Sequence, residues 1–120
     1  NTDEKAIDYS FSILDKVALD GSWSMVYDIK NKKIYFKSAS YKSIKTLECA
    51  TLDFDCTSPA QICSMNLSKP ININSSLKSY SHSQNKEVMR DAIKTNEITF
   101  PQSVLNQFLG YSLTCKCEGQ

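Results

Sequence analysis

Glycine and proline are both scarce in this chain, at three residues each in 120. So few glycines cannot furnish the glycine-rich loop with which P-loop and dinucleotide-binding proteins cradle phosphate. A surplus of one charge is also missing, with 14 basic and 13 acidic residues and a formal net charge of +1. That removes the electrostatic case for nucleic acid or an anionic membrane as an obligatory partner. No apolar run approaches the roughly 18 residues that a bilayer-spanning helix needs. Histidine, tryptophan and arginine occur once each, as His82, Trp23 and Arg90. No cofactor motif is present, and none is expected. What the chain does have is a 41% hydrophobic and 22% charged composition, which reads as one soluble globular domain able to bury a usable core.

The opening "NTDEKAIDY" lacks the basic-then-apolar layout of a signal peptide. The absence of an initiator methionine points to a fragment or a trimmed chain. Five cysteines occur: Cys49, Cys56, Cys63, Cys115 and Cys117. Their odd count argues against a fully paired secreted framework, and the CxxC knuckles of a structural zinc site are missing. Small buried or half-buried thiols in a reducing, cytoplasmic compartment are the favoured reading. An upstream signal peptide, since removed, would instead make the protein secreted.

Periodicity organises the chain. Ile7, Phe11, Leu14 and Ala18 recur at helical spacing, widened by Ile13 and Val17, and predict a helix over residues 4–19. Thr2 or Asp3 can cap its start, and Gly21 supplies the stop. In "SWSMVYDIKNKKIYF", residues 22–36, Trp23, Met25, Tyr27 and Ile29 alternate with Ser22, Ser24 and Asp28, Val26 being the exception. "KNKK" is the turn, with Asn31 suited to a left-handed backbone. On the return strand Ile34 and Phe36 oppose Lys33, Tyr35 and Lys37. The preceding helix is expected to cover the apolar face of this hairpin. A third strand is predicted around residues 43–49, with Leu52, Phe54 and Ile62 as anchors in an irregular connection bounded by Pro59 and Pro70. "ININ" suits a brief strand. Helices are predicted over residues 84–95, with Val88, Met89, Ala92 and Ile93 on one side, and from Pro101, with Val104, Leu105, Phe108 and Leu109. Gly110 is placed at the end of the latter helix. Alternation in "YSLTCKC" suggests a final strand, with Cys115 and Cys117 roughly 6.5–7 Å apart on one side, a poor span for a disulfide. The fold class expected is α+β, an antiparallel sheet with packed helices. The single domain 1–120 divides into residues 1–56, a helix, hairpin and third strand, and residues 57–120, an irregular connection, two short helices and a last strand.

Chemistry is thin. His82 sits in the polar "SYSHSQN" with no orienting partner nearby in sequence, so a surface histidine is favoured over a catalytic one. "SSLK" (Ser75, Lys78) and "SQNK" (Ser83, Lys86) match S-x-x-K without its companion motifs. Asp53 and Asp55 flank Phe54 and can share one face, but no third oxygen ligand for a cation accompanies them. Asn66 and Asn74 open glycosylation sequons, which matter only in a eukaryotic secreted protein. Trp23, Tyr27, Tyr35 and Phe36 cluster in one hairpin, and such aromatics more often face a core than a ligand.

Two stretches carry a family resemblance. "DYSFSILDKVA" followed by "GSWSMVYDIKNKKIYFKS" resembles the C-terminal part of the linear amide C–N hydrolases, which include choloylglycine hydrolases, penicillin V acylases and related acyltransferases. Trp23, Ser24, Val26, Tyr27 and Asp28 match the family's strand. Asn31, Ile34, Tyr35 and Phe36 match its hairpin tip and return, and "SIKTLECATLDFDC" is similar to the family's next strand and the "LDF" after it. The resemblance covers roughly the first half of the chain. It implies the αββα sandwich of N-terminal-nucleophile hydrolases and an activity on the amides of conjugated bile acids, penicillins or N-acyl compounds. In that family an N-terminal cysteine attacks the amide, with its own α-amino group as base. This chain begins with Asn1, and Arg90 lies outside the matched region. No catalytic residue therefore carries over. The resemblance implies a non-catalytic C-terminal region, inactive alone, whose partner is the missing N-terminal part of the same protein. The alternative is a free-standing protein-interaction module. In either case an unpaired strand edge predicts a homodimer or a covering partner.

Overall fold

The computed structural model describes residues 2–55 and 57–114. The fold is α+β, in the order α1 (Thr2–Val17), β1 (Trp23–Asp28), β2 (Lys33–Ser38), β3 (Lys45–Glu48), β4 (Gln61–Ile62), β5 (Lys78–Ser79), α2 (His82–Thr95) and α3 (Gln102–Gly110). Two compact units form. One comprises Asn1–Phe54 and Ile62–Lys78; the other comprises Asp55–Gln61 and Ser79–Gln120. Residues 62–78 thus return to the first unit.

In the first unit β1, β2 and β3 form an antiparallel sheet in that order. Trp23 pairs with Ser38, Met25 with Phe36 and Tyr27 with Ile34, so these six share one face with Lys45 and Leu47. Ser24, Val26, Asp28, Lys33, Tyr35 and Lys37 share the other. The helix covers the second of these, not the apolar one predicted. The Lys37 ammonium lies 2.6 Å from the Asp15 carboxylate and 5.2 Å from the centre of the Phe11 ring. Ile7 borders Tyr35 and Thr46 in one surface hollow, and Val26 in another. The physical reason is Lys37. Its ammonium lies over the Phe11 ring while pairing with Asp15, so a nominally polar position is a packing position. Phe11 is consequently buried at 3% exposure, whereas Ile13 and Val17, expected to widen the helix's inner face, are exposed. Phe36, at 3% exposure, lies on the side of the sheet away from α1.

The turns correct two further expectations. The helix stops at Val17, and Gly21, with φ +80°, serves the turn closed by the Ser22 N–H on the Leu19 carbonyl. In the hairpin the left-handed residue is Lys32, φ +52°, not Asn31. Asn31 instead donates its backbone and side-chain N–H groups to the Asp28 carboxylate, at 3.0 and 2.7 Å. Leu52 is half-buried, but Phe54 and Ile62, predicted as anchors, are exposed. "ININ" forms no strand; Asn72 makes a single parallel bridge to Thr46.

In the second unit α2 begins at His82 and ends where the Asn96 side chain bonds the Ala92 carbonyl at 2.7 Å and Glu97 turns to φ +53°. Pro101 precedes α3, whose Leu109 is buried at 4% exposure. Val88 and Phe108, assigned to apolar faces, are exposed, although Phe108 stacks at 5.4 Å on Phe100. Gly110 is the last residue of α3, and Tyr111–Leu113 continues as a 3-10 turn rather than starting the predicted strand. Cys115, Cys117 and Cys56 lie outside the described residues.

Candidate functional site

The two edges of the three-stranded sheet differ, and hydrogen-bond parity says how. The Cys49 N–H bonds the Lys32 carbonyl at 2.9 Å, continuing the pairing of Lys33 with Glu48. Along an antiparallel strand, hydrogen-bonding groups alternate sides. Even-numbered residues of β2 therefore bond β3, odd-numbered ones bond β1, and Ser24, Val26 and Asp28 of β1 bond β2. Trp23, Met25 and Tyr27 aim their backbone N–H and C=O groups outward.

On the β3 side the outward groups are satisfied. The Thr46 N–H bonds the Ile71 carbonyl at 2.8 Å, and the Ile73 N–H bonds the Thr46 carbonyl at 2.9 Å. One position on, the Asn74 side chain acts as a further strand residue. Its oxygen accepts the Glu48 N–H at 2.8 Å, and its nitrogen donates to the Glu48 carbonyl at 2.9 Å and to Thr51 Oγ1 at 2.7 Å. Both amide hydrogens of Asn74 are thus committed, so its sequon is spent on the fold; the Asn66 side chain is exposed. On the β1 side no backbone group of Trp23, Met25 or Tyr27 has a partner among the described residues. Trp23 is 59% and Tyr27 63% exposed, side by side with half-buried Met25, whose sulfur accepts the Tyr27 hydroxyl at 3.4 Å. Edges are normally protected by lysine, proline or a bulge. β1 reads WSMVYD in unbroken register and has none of these.

The residues considered for catalysis fare differently. His82 is half-buried, not a free surface residue. Its Nδ1 lies 3.1 Å from Ser112 Oγ, which accepts the Tyr80 hydroxyl at 2.6 Å. The serine oxygen has two lone pairs, so Ser112 can donate its own proton to Nδ1 or accept one from it, according to the imidazole tautomer. Nε2 is buried without a partner among the described residues. Among the described residues no carboxylate orients the ring, and Tyr80 takes up a lone pair of the serine that would attack. The chain of three groups fastens the start of α2 to the turn after α3. Its members are 30 and 32 residues apart, so no local motif announces them. No sequence pattern singles out Lys45, which is buried to 1% exposure; its ammonium bonds Ser43 Oγ at 2.9 Å and sits 6.0 Å from the Tyr41 ring centre.

Ser75 and Lys78, and Ser83 and Lys86, are not hydrogen-bonded to each other among the described residues; Ser83 pairs with Ser81 at 2.7 Å. Asp53 and Asp55 are exposed outside any strand, and the Asp55 carboxylate accepts the Thr57 N–H at 3.0 Å. No group of three metal-ligating side chains occurs among the described residues. Cys49 and Cys63 are free half-buried thiols, and burial pushes the Cys63 thiol up from its ordinary pKa. A polar hollow of about 490 Å³ between the end of α1 and the β1–β2 pair includes Lys37 and Lys42, but Asp15 already neutralises Lys37. No described helix is long and apolar enough to cross a membrane. The geometry that stands out is the open β1 edge with its aromatic flank, and no family model, curated protein or solved structure matches the chain.

Proposed function

We propose that this chain is a non-catalytic sheet layer: the C-terminal region of a linear amide C–N hydrolase whose nucleophile lies in an upstream part of the same protein. The observation that carries the reading is the position of α1. A sheet in a sandwich with outer helices has a helix on one side and a second sheet on the other. Here α1 takes the Val26–Tyr35–Lys37 face, and Trp23, Met25 and Tyr27 remain on the opposite one. An aromatic, partly uncovered sheet face suits packing against a second sheet, and Trp23, Tyr27, Ile34 and Phe36 on it are among the residues that carry the family resemblance.

The test is hydrolysis of penicillin V and of glycine-conjugated bile acids. This chain alone should give no turnover. A longer product of the same gene, opening on a cysteine, should give turnover that a Cys→Ala change at that position abolishes. Turnover by this chain alone, lost on His82→Ala or Ser112→Ala, would overturn the reading.

The open β1 edge favours a second reading, a free-standing interaction module without enzymatic activity. The two readings part on the gene itself: an upstream region of arginine-, aspartate- and asparagine-bearing strands belongs to the first only.

A further inference from the structure

We infer that the partner of the β1 edge is a second copy of this chain, paired antiparallel about a two-fold axis through Met25. The inference rests on the interaction-module reading of that edge. Three observations select the occupant.

The first is parity. Only Trp23, Met25 and Tyr27 point backbone groups outward, so hydrogen-bonded pairing between two copies must match these residues with one another. Centring on Met25 uses all three: Met25 faces Met25, and Trp23 of each copy faces Tyr27 of the other. A slip of two residues in either direction wastes one of them.

The second is side-chain complementarity. The centred register places an exposed tryptophan opposite an exposed tyrosine twice over, a favourable cross-strand pairing, with flexible Met25 side chains between them.

The third is charge. The turn before β1 bears Asp20, and the turn after it bears Lys30 and Lys32 beside Asp28. The centred antiparallel register brings Asp20 of each copy opposite Lys30 of the other. Parallel pairing would oppose like charges, which is unfavourable.

Sedimentation and crosslinking test this. The chain should dimerise reversibly. Lys30→Asp should weaken the dimer about fivefold, and Asp20→Lys added to it should restore the affinity. Met25→Pro removes an outward N–H, along with the Met25 sulfur that Tyr27 contacts, at a place where an edge strand tolerates proline, and should give a folded monomer. Met25→Cys should crosslink under mild oxidation, because hydrogen-bonded Cα atoms about 5.5 Å apart lie within disulfide range. The bridge is mapped by mass spectrometry, which separates it from native thiols. Ser24→Cys should not crosslink in this register, but would in one slipped by two residues.

A chain that stays monomeric, a dimer that survives Met25→Pro, or a bridge at Ser24 in place of Met25 overturns the second-copy proposal. Amide exchange distinguishes that failure from failure of the edge reading itself. Fast exchange at Trp23, Met25 and Tyr27 in a monomer leaves the edge open for another strand, whereas protected amides in a monomer refute the edge. Should Met25→Pro not fold, the same amides in the unaltered chain decide: they must become protected as concentration rises through the dimerisation range.

Discussion

Replacing Asn74 by alanine should loosen the β3 edge of the sheet and destabilise the first unit by about 3 kcal/mol. The side chain makes three hydrogen bonds, two to the backbone of Glu48 and one to Thr51 Oγ1. Each is worth about 1 kcal/mol net when both partners can otherwise reach water. Glu48 is half-buried, so its orphaned N–H regains only part of that hydration. Thr51 keeps its own bond to the Glu48 carbonyl at 2.9 Å and limits the loss there. The assay is urea unfolding followed by tryptophan fluorescence, since Trp23 is the only tryptophan and sits in this sheet. At a slope of about 1 kcal/mol per molar urea, the midpoint should fall by roughly 3 M. Asn74→Asp keeps the acceptor but sets a carboxylate oxygen against the Glu48 carbonyl, and should be at least as damaging. A loss below about 1 kcal/mol for alanine, or a mild aspartate variant, would refute the assignment of Asn74 as a strand substitute.

Two further outcomes concern the titratable groups. The Asn31 side chain, and then its backbone N–H, hold the Asp28 carboxyl below its ordinary 3.8. Its folded pKa is thus the lower one, so the hairpin tip is fully stabilised above pH 3.8 and loosens as pH falls through the folded value; the Asn31 amide shift in an NMR titration should have its midpoint below 3.8. Burial raises the Cys63 thiol, so alkylation at pH 8 should be slower at Cys63 than at a free cysteine, and equal rates would contradict its burial.

The elements near in sequence are legible from the residues, and the contacts far apart are not. Helical spacing around Phe11 and alternation from Trp23 to Phe36 predict α1 and the hairpin because each pattern needs only its own residues. Alternation misassigns the face that α1 covers because it takes residue type for environment. Lys37 counts as polar, yet its ammonium lies over the Phe11 ring as well as beside Asp15. Asn74 reads as a sequon, and only the return of residues 71–74 to β3 reveals it as a clasp. His82 finds Ser112 and Tyr80 through tertiary folding alone. "YSLTCKC" alternates like a strand, but Tyr111–Leu113 extends the end of α3 by local hydrogen bonding, as the Thr114 N–H on the Tyr111 carbonyl shows. The open edge is foreseeable in kind; which strand bears it depends on how residues 71–74 fold back.

The unequal edges also set a limit on growth. A sheet open on both sides can add copies without end, as fibrils do. Here one side is occupied by the chain's own Thr46 bridge and Asn74 amide. This sheet therefore has a single open edge among the described residues, and the pairing proposed through β1 would use it up. Assembly by that proposed route would terminate at two, and the asparagine on the far side of the sheet would be what stops it there.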